Sequence, residues 1–179
     1  MKAKSVLLLL FAAMVFLSCK DNKEQSTPNE PAAVAQDIFK VTLNVVAAKD
    51  DDFSLFYKED GATDFAEPIW TSVKGNDAAQ DVVYTLPADV FPTTLRLDVG
   101  RKENQEQIVL KSVTLEYNGK KRTFNGSEIG NFFRADENKC TFDASTGVIK
   151  AVVKDGVKQF PSLYPHDVPL RTEIEKLAQ

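Results

Sequence analysis

Metal-binding and nucleophilic side chains are scarce in this sequence, which has one histidine, His166, and two cysteines, Cys19 and Cys140, in 179 residues. A structural zinc site takes about four Cys or His ligands, more than the chain holds. A Ser-His-Asp arrangement would have to use His166, which stands beside Asp167 in a proline-rich tail and reads as structural or solvated. The 8 glycines nowhere take the spacing of a phosphate-cradling loop; Gly75-Asn76-Asp77 and Asn125-Gly126-Ser127 read as turns. Positive charge is also in deficit. With 22 Lys and Arg against 26 Asp and Glu, the chain carries −4, without the basic footprint that nucleic acid requires. Only one apolar run is long, Val6 to Leu17. As a helix it would reach about 18 Å, short of a hydrocarbon core of about 30 Å.

That run is nevertheless informative. Lys2 and Lys4 precede it and Phe16-Leu17-Ser18-Cys19 closes it, the layout of an export signal with a positive end and a short apolar segment. The closing residues resemble the lipobox of bacterial lipoproteins, in which a small residue precedes a cysteine that receives diacylglycerol before cleavage. The resemblance implies that residues 1–18 are removed and that Cys19 is lipidated, leaving Cys140 as a single thiol without a disulfide partner. In the sorting rule of that family, aspartate directly after the cysteine retains a lipoprotein in the inner membrane. Lys20 stands there instead, which implies an outer-membrane anchor, facing either the periplasm or the outside. Loss of Lys2 and Lys4 with no acid makes the mature chain more acidic still. Residues 19–36, the cysteine and a polar stretch with two prolines, read as a tether, because they offer too little apolar surface to offset the entropy of ordering.

Residues 37–179 read as one domain. Phe39, Val41, Leu43 and Val45 alternate with polar residues, as do Phe53, Leu55 and Tyr57, and Leu95, Leu97 and Val99. Period two is the signature of half-buried strands. Ile69–Val73, Asp81–Leu86, Gln107–Tyr117, Lys120–Phe124, Cys140–Phe142 and Val148–Val153 complete the strand set. The parity of Gln107–Tyr117 slips between Leu110 and Val113, which predicts a bulge near Lys111 and Ser112. Asn118-Gly119 predicts a hairpin turn with two positive φ angles. Ser127–Phe133 reads as one helical turn or an irregular loop, and the tail from Pro161 as extended coil. One helix is predicted over 169–178, with Leu170, Ile174 and Leu177 on one stripe. Short strands, frequent turns and little helix predict an all-β, antiparallel, jelly-roll-like β-sandwich with a short C-terminal helix. The 12 phenylalanines supply aromatic area for its core.

For chemistry, the run Asp50-Asp51-Asp52 offers oxygen ligands of the kind calcium takes, without EF-hand spacing, and also reads as a charged, solvated strand end. A small hydrolase using two acids stays open, since any two carboxylates can face each other across a cleft. The favoured reading is a non-catalytic binding module. Trp70, Tyr84 and Tyr117, with Tyr57 and Tyr164, are the flat rings on which a sugar stacks, and Arg96, Asp98 and Asn118 are polar groups that hold hydroxyls. Trp70 borders a long loop and is the ring expected to be exposed, whereas Tyr57 shares parity with Phe53 and Leu55 and is expected inside. Arg96 and Asp98 lie on one strand face and are expected to pair. The stretch Thr94-Leu95-Arg96-Leu97-Asp98, followed by the strand around Ile108 to Leu115, looks like the sandwich domains attached to bacterial glycan-handling proteins; the resemblance ranks glycan first as the ligand and leaves another envelope ligand open. The alternative is a structural or assembly subunit that docks on another envelope protein through a sheet edge or the C-terminal helix.

Overall fold

A computed structural model describes residues 37–179; the expected signal segment, Cys19 and the tether lie outside the described residues. Thirteen strands follow one another: β1 (Lys40–Ala47), β2 (Asp51–Lys58), β3 (Ile69–Val73), β4 (Asn76–Thr85), β5 (Thr94–Asp98), β6 (Gln107–Tyr117) and β7 (Lys120–Asn125). A 3-10 helix, Gly126–Asn131, leads to β8 (Phe133–Ala135), β9 (Cys140–Asp143), β10 (Val148–Ala151), β11 (Val153–Lys154), β12 (Val157–Lys158), β13 (Ser162–Pro165) and α1 (Asp167–Ala178).

They form an antiparallel β-sandwich. The first sheet runs β4-β1-β6-β10-β9, with β7 also paired to β6, and the second runs β3-β2-β5-β13-β8. Consecutive strands repeatedly change sheet, the jelly-roll-like trait, since β1 and β2, β3 and β4, β4 and β5, and β5 and β6 lie in different sheets. The alternating residues of both sheets point into one shared hydrophobic cluster. Phe39, Val41, Leu43, Val45, Val113 and Leu115 of the first sheet side, and Phe53, Leu55, Leu95, Leu97 and Leu163 of the second, are all no more than 1% exposed. Each such side chain contributes about 1.5–3 kcal/mol by leaving water.

The parity slip in β6 is a bulge. Asn44 pairs with Ser112 and Val45 with Leu110, so Lys111 is the extra residue. The bulge is also where β6 exchanges partners on its other side, from β7 at Ser112 to β10 at Val109. Asn118 and Gly119 turn the β6–β7 hairpin with φ of 48° and 75°.

Three expectations need correction. The tail is not coil: Ser162–Pro165 is β13, between β5 and β8. Its one proline is tolerated because β5 pairs only with Ser162 and Leu163, so Pro165 meets a ladder on the β8 side alone. Residues 76–80, polar or alanine, start β4 five residues before Asp81, on a sheet edge whose mostly exposed side chains leave no apolar period. Helix α1 begins at Asp167, placing Pro169 within its first turn, where the missing N–H has no helical partner to lose. Its stripe of Leu170, Ile174 and Leu177 is buried against the sandwich. Arg122 of β7 fastens it there, donating from Nε to Glu173 Oε2 at 2.6 Å and from the other end of its guanidinium to Glu128.

Candidate functional site

The outward residues of the second sheet form two neighbouring rows across the strands. In one row Trp70 of β3 pairs with Ser54 of β2, Ser54 with Asp98 of β5, and Asp98 with Ser162 of β13. In the next, Phe56 of β2 pairs with Arg96 of β5, and Tyr164 of β13 with Arg134 of β8. Strict alternation along each strand puts these side chains on the face opposite the core.

Arg96 is the hub of the second row. Its guanidinium lies 3.7 Å from the ring centroid of Phe56, 5.2 Å from Phe65 and 5.3 Å from Tyr164. It donates two hydrogen bonds to Asp98, Nε to Oδ1 at 3.0 Å and a terminal nitrogen to Oδ2 at 3.1 Å. The expected pairing on one strand face is therefore present, in a forked geometry. Arg134 extends the row, its guanidinium 5.8 Å from the Tyr164 ring. Aromatic and cationic groups thus alternate from β2 to β8, each contact worth about 0.5–1 kcal/mol at exposed sites.

Above the first row, Arg101 lies between two exposed rings, 5.0 Å from Trp70 and 4.8 Å from Phe160. Trp70 is 49% exposed and Phe160 39%, which places Trp70 where the sequence predicted. Beneath them the hydroxyl of Ser54 is buried and has no hydrogen-bond partner among the described residues. At the far end of the face, Lys58 and Thr94 open onto a hollow of about 300 Å³ bordered by Asp167, Val168 and Arg171 of α1.

The other candidates lie elsewhere. Tyr84 is a core residue, 1% exposed, on the inward parity of β4; burial pushes its phenol above the usual tyrosine range. It cannot serve as a binding ring. Tyr117 lies at the end of the first sheet, packed 4.9 Å from Phe91 and 6.0 Å from Phe39, and its hydroxyl donates to Asp37 at 3.2 Å. Neither ring joins the Trp70 face. Tyr57 points inward as expected.

The three consecutive aspartates diverge. Asp50 accepts from Lys74 and from the Gly75 N–H, both at 2.8 Å, and Asp52 from the Ser72 hydroxyl at 2.7 Å. Asp51, expected in solvent, is fully buried, because it shares the inward parity of Phe53, Leu55 and Tyr57. Its Oδ1 accepts the N–H groups of Asp52 and Lys102 at 2.8 and 2.9 Å, while Oδ2 has no partner. Burial pushes this carboxyl above the usual aspartate range despite those two bonds and the Lys158 charge. Among the described residues no three His, Cys, Asp or Glu side chains are grouped to hold a metal ion. Cys140 is buried, its thiol pushed up by burial and within 3.4 Å of the Ser162 carbonyl. His166 is the N-cap of α1; its N–H donates to the Phe132 carbonyl and its carbonyl accepts from Leu170.

Sequence reasoning missed Phe56, Phe65, Arg101, Arg134 and Phe160. Phe56 was legible in principle, since its parity opposes Phe53, Leu55 and Tyr57. The others come from loops and a three-residue strand, where no period exists to read. No protein-family model and no curated protein matches the chain.

Proposed function

We propose that this chain is a lipoprotein of the bacterial envelope, anchored in the outer membrane through lipid on Cys19, whose sandwich is a non-catalytic module that binds glycan on the outer face of its second sheet. The observation that carries the binding site is Trp70, half exposed, with Phe160 across Arg101 from it and Arg96 and Asp98 on the same face. The Trp70 ring offers stacking area to the C–H faces of sugars at little entropic cost, since a strand holds its backbone. Asp98, held by Arg96, supplies acceptors at a fixed position for hydroxyls.

Docking on an envelope protein through α1 is the weaker reading. The helix buries Leu170, Ile174 and Leu177 against its own domain, and Val168 is its large apolar side chain left exposed.

Two measurements test the proposal. Mass spectrometry of the natural product should find an acylated N-terminus at Cys19; an unmodified mature chain overturns the anchor. A glycan array probed with the full chain in detergent should give binding that Trp70→Ala removes. A blank array overturns the ligand class, and binding unchanged by Trp70→Ala overturns the site.

A further inference from the structure

The Trp70 face differs in charge from the rest of the molecule. The chain carries −4 overall, yet the face presents three arginines. Arg96 is matched by Asp98, whereas Arg101 and Arg134 form no salt bridge among the described residues. Both are exposed and lie beside aromatic rings, Arg134 by Tyr164 and Arg101 between Trp70 and Phe160, with the Asp52 carboxylate near enough to feel the Arg101 charge without bonding to it. A guanidinium stacked on a ring keeps its donor edge free and pre-aimed, and its planar fork matches a carboxylate in two parallel hydrogen bonds.

Resting on the glycan reading above, we infer that the ligand is an acidic glycan, a polymer of carboxylated sugars, with Arg101 and Arg134 as its two carboxylate-binding groups and Trp70 as its stacking platform. Arg101 lies between Trp70 of β3 and Phe160 in the loop before β13, and Arg134 lies on β8, the edge strand opposite β3. An extended polymer laid across the strands brings carboxylates on different sugar units to the two arginines. A neutral glycan would give neither guanidinium a carboxylate.

The test compares polymers that differ only in charge. The full chain in detergent is titrated with polygalacturonate, alginate and hyaluronate, and with the methyl esters of each. Binding to at least one acid form is expected, weakened about tenfold or more by esterification and weakened further as salt screens the charges. Arg101→Gln and Arg134→Gln should each lower affinity for the acid form about threefold to fivefold, the scale of one exposed ion pair, with the domain still folded and its melting temperature lowered by no more than the lost ring contacts explain. The same substitutions should lower affinity for the ester less than for the acid. Trp70→Ala should weaken both forms.

If the esters bind as tightly as the acids, or the arginine variants are silent, the inference fails while the glycan reading stands. If acid and ester forms are all ignored while neutral glycans bind on the array, the inference fails in the same way. If neither the polymers nor the array bind, both readings fail together. Equal retention by polyglutamate assigns the face to acidic peptide and overturns the inference.

Discussion

Gly147 and Gly119 share a left-handed φ of 75° and have very different surroundings. A Cβ added at Gly119 meets nothing within 4 Å, whereas one added at Gly147 falls 2.3 Å from the Leu110 carbonyl oxygen and 3.1 Å from its carbon. The Gly147 carbonyl in turn accepts the Leu110 N–H at 2.8 Å, beside the bulge where β6 changes partners. Substituting alanine at either position incurs the left-handed penalty of about 1–2 kcal/mol. At Gly147 the two backbones must also separate by roughly 1 Å. That adds an overpacking cost of about 1–3 kcal/mol and loosens a buried hydrogen bond worth about 1 kcal/mol. Gly119→Ala should therefore cost about 1–2 kcal/mol and Gly147→Ala about 2–4 kcal/mol more. Urea unfolding of both variants, with unchanged m-values, reads the difference directly as a shift in midpoint. Equal midpoints would refute the claim that close backbone approach at the bulge, rather than the turn conformation, requires glycine at 147.

Asp51→Asn should leave the fold intact and raise stability at neutral pH by on the order of 1 kcal/mol, because it removes an ion with one unpartnered oxygen while keeping the Oδ1 acceptor. The folded chain holds this proton to higher pH than the unfolded chain, whose value is near 3.8. Wild-type stability therefore falls relative to the variant as pH rises above about 3.8, and a gap that is constant with pH in chemical denaturation contradicts this. Arg122→Ala should cost about 1–2 kcal/mol and raise amide exchange in α1 first, since it frees Glu173 and Glu128. Uniform exchange across both sheets would count against that route. Lys176 and then Arg122 hold the Glu173 carboxyl below the usual glutamate value of 4.5, and Arg122 does the same for Glu128. Their contribution is complete above that value and is lost as pH falls below it through the folded values, a window that Arg122→Ala should flatten in acid titrations of stability. The Cys140 thiol, buried and with its pKa raised, should resist alkylation until urea unfolds the domain; rapid labelling of the native chain would place it at the surface.

Local pattern was enough wherever one face of a strand is buried and the other wet. The alternation of Phe39 to Val45, of Phe53 to Tyr57 and of Leu95 to Val99 predicted strands and inward residues together, because period two ties sequence position to side-chain direction. The slip at Lys111 and the turn at Asn118-Gly119 were equally legible, since a bulge and a left-handed turn are events within one or two residues. Tertiary structure decided the rest. Ser162–Pro165 became a strand because two neighbouring strands offered ladders that its single proline does not block, and Asp51 became buried because the strand it begins runs on into the core. The Trp70 face was divided the same way: Trp70, Arg96 and Asp98 were readable one by one, but their union with Phe56, Arg134 and Tyr164 follows from strand order, and with Arg101 and Phe160 from how two loops fold over the sheet. Which strands lie side by side is set by contacts between residues far apart in the chain, and no short-range period records them.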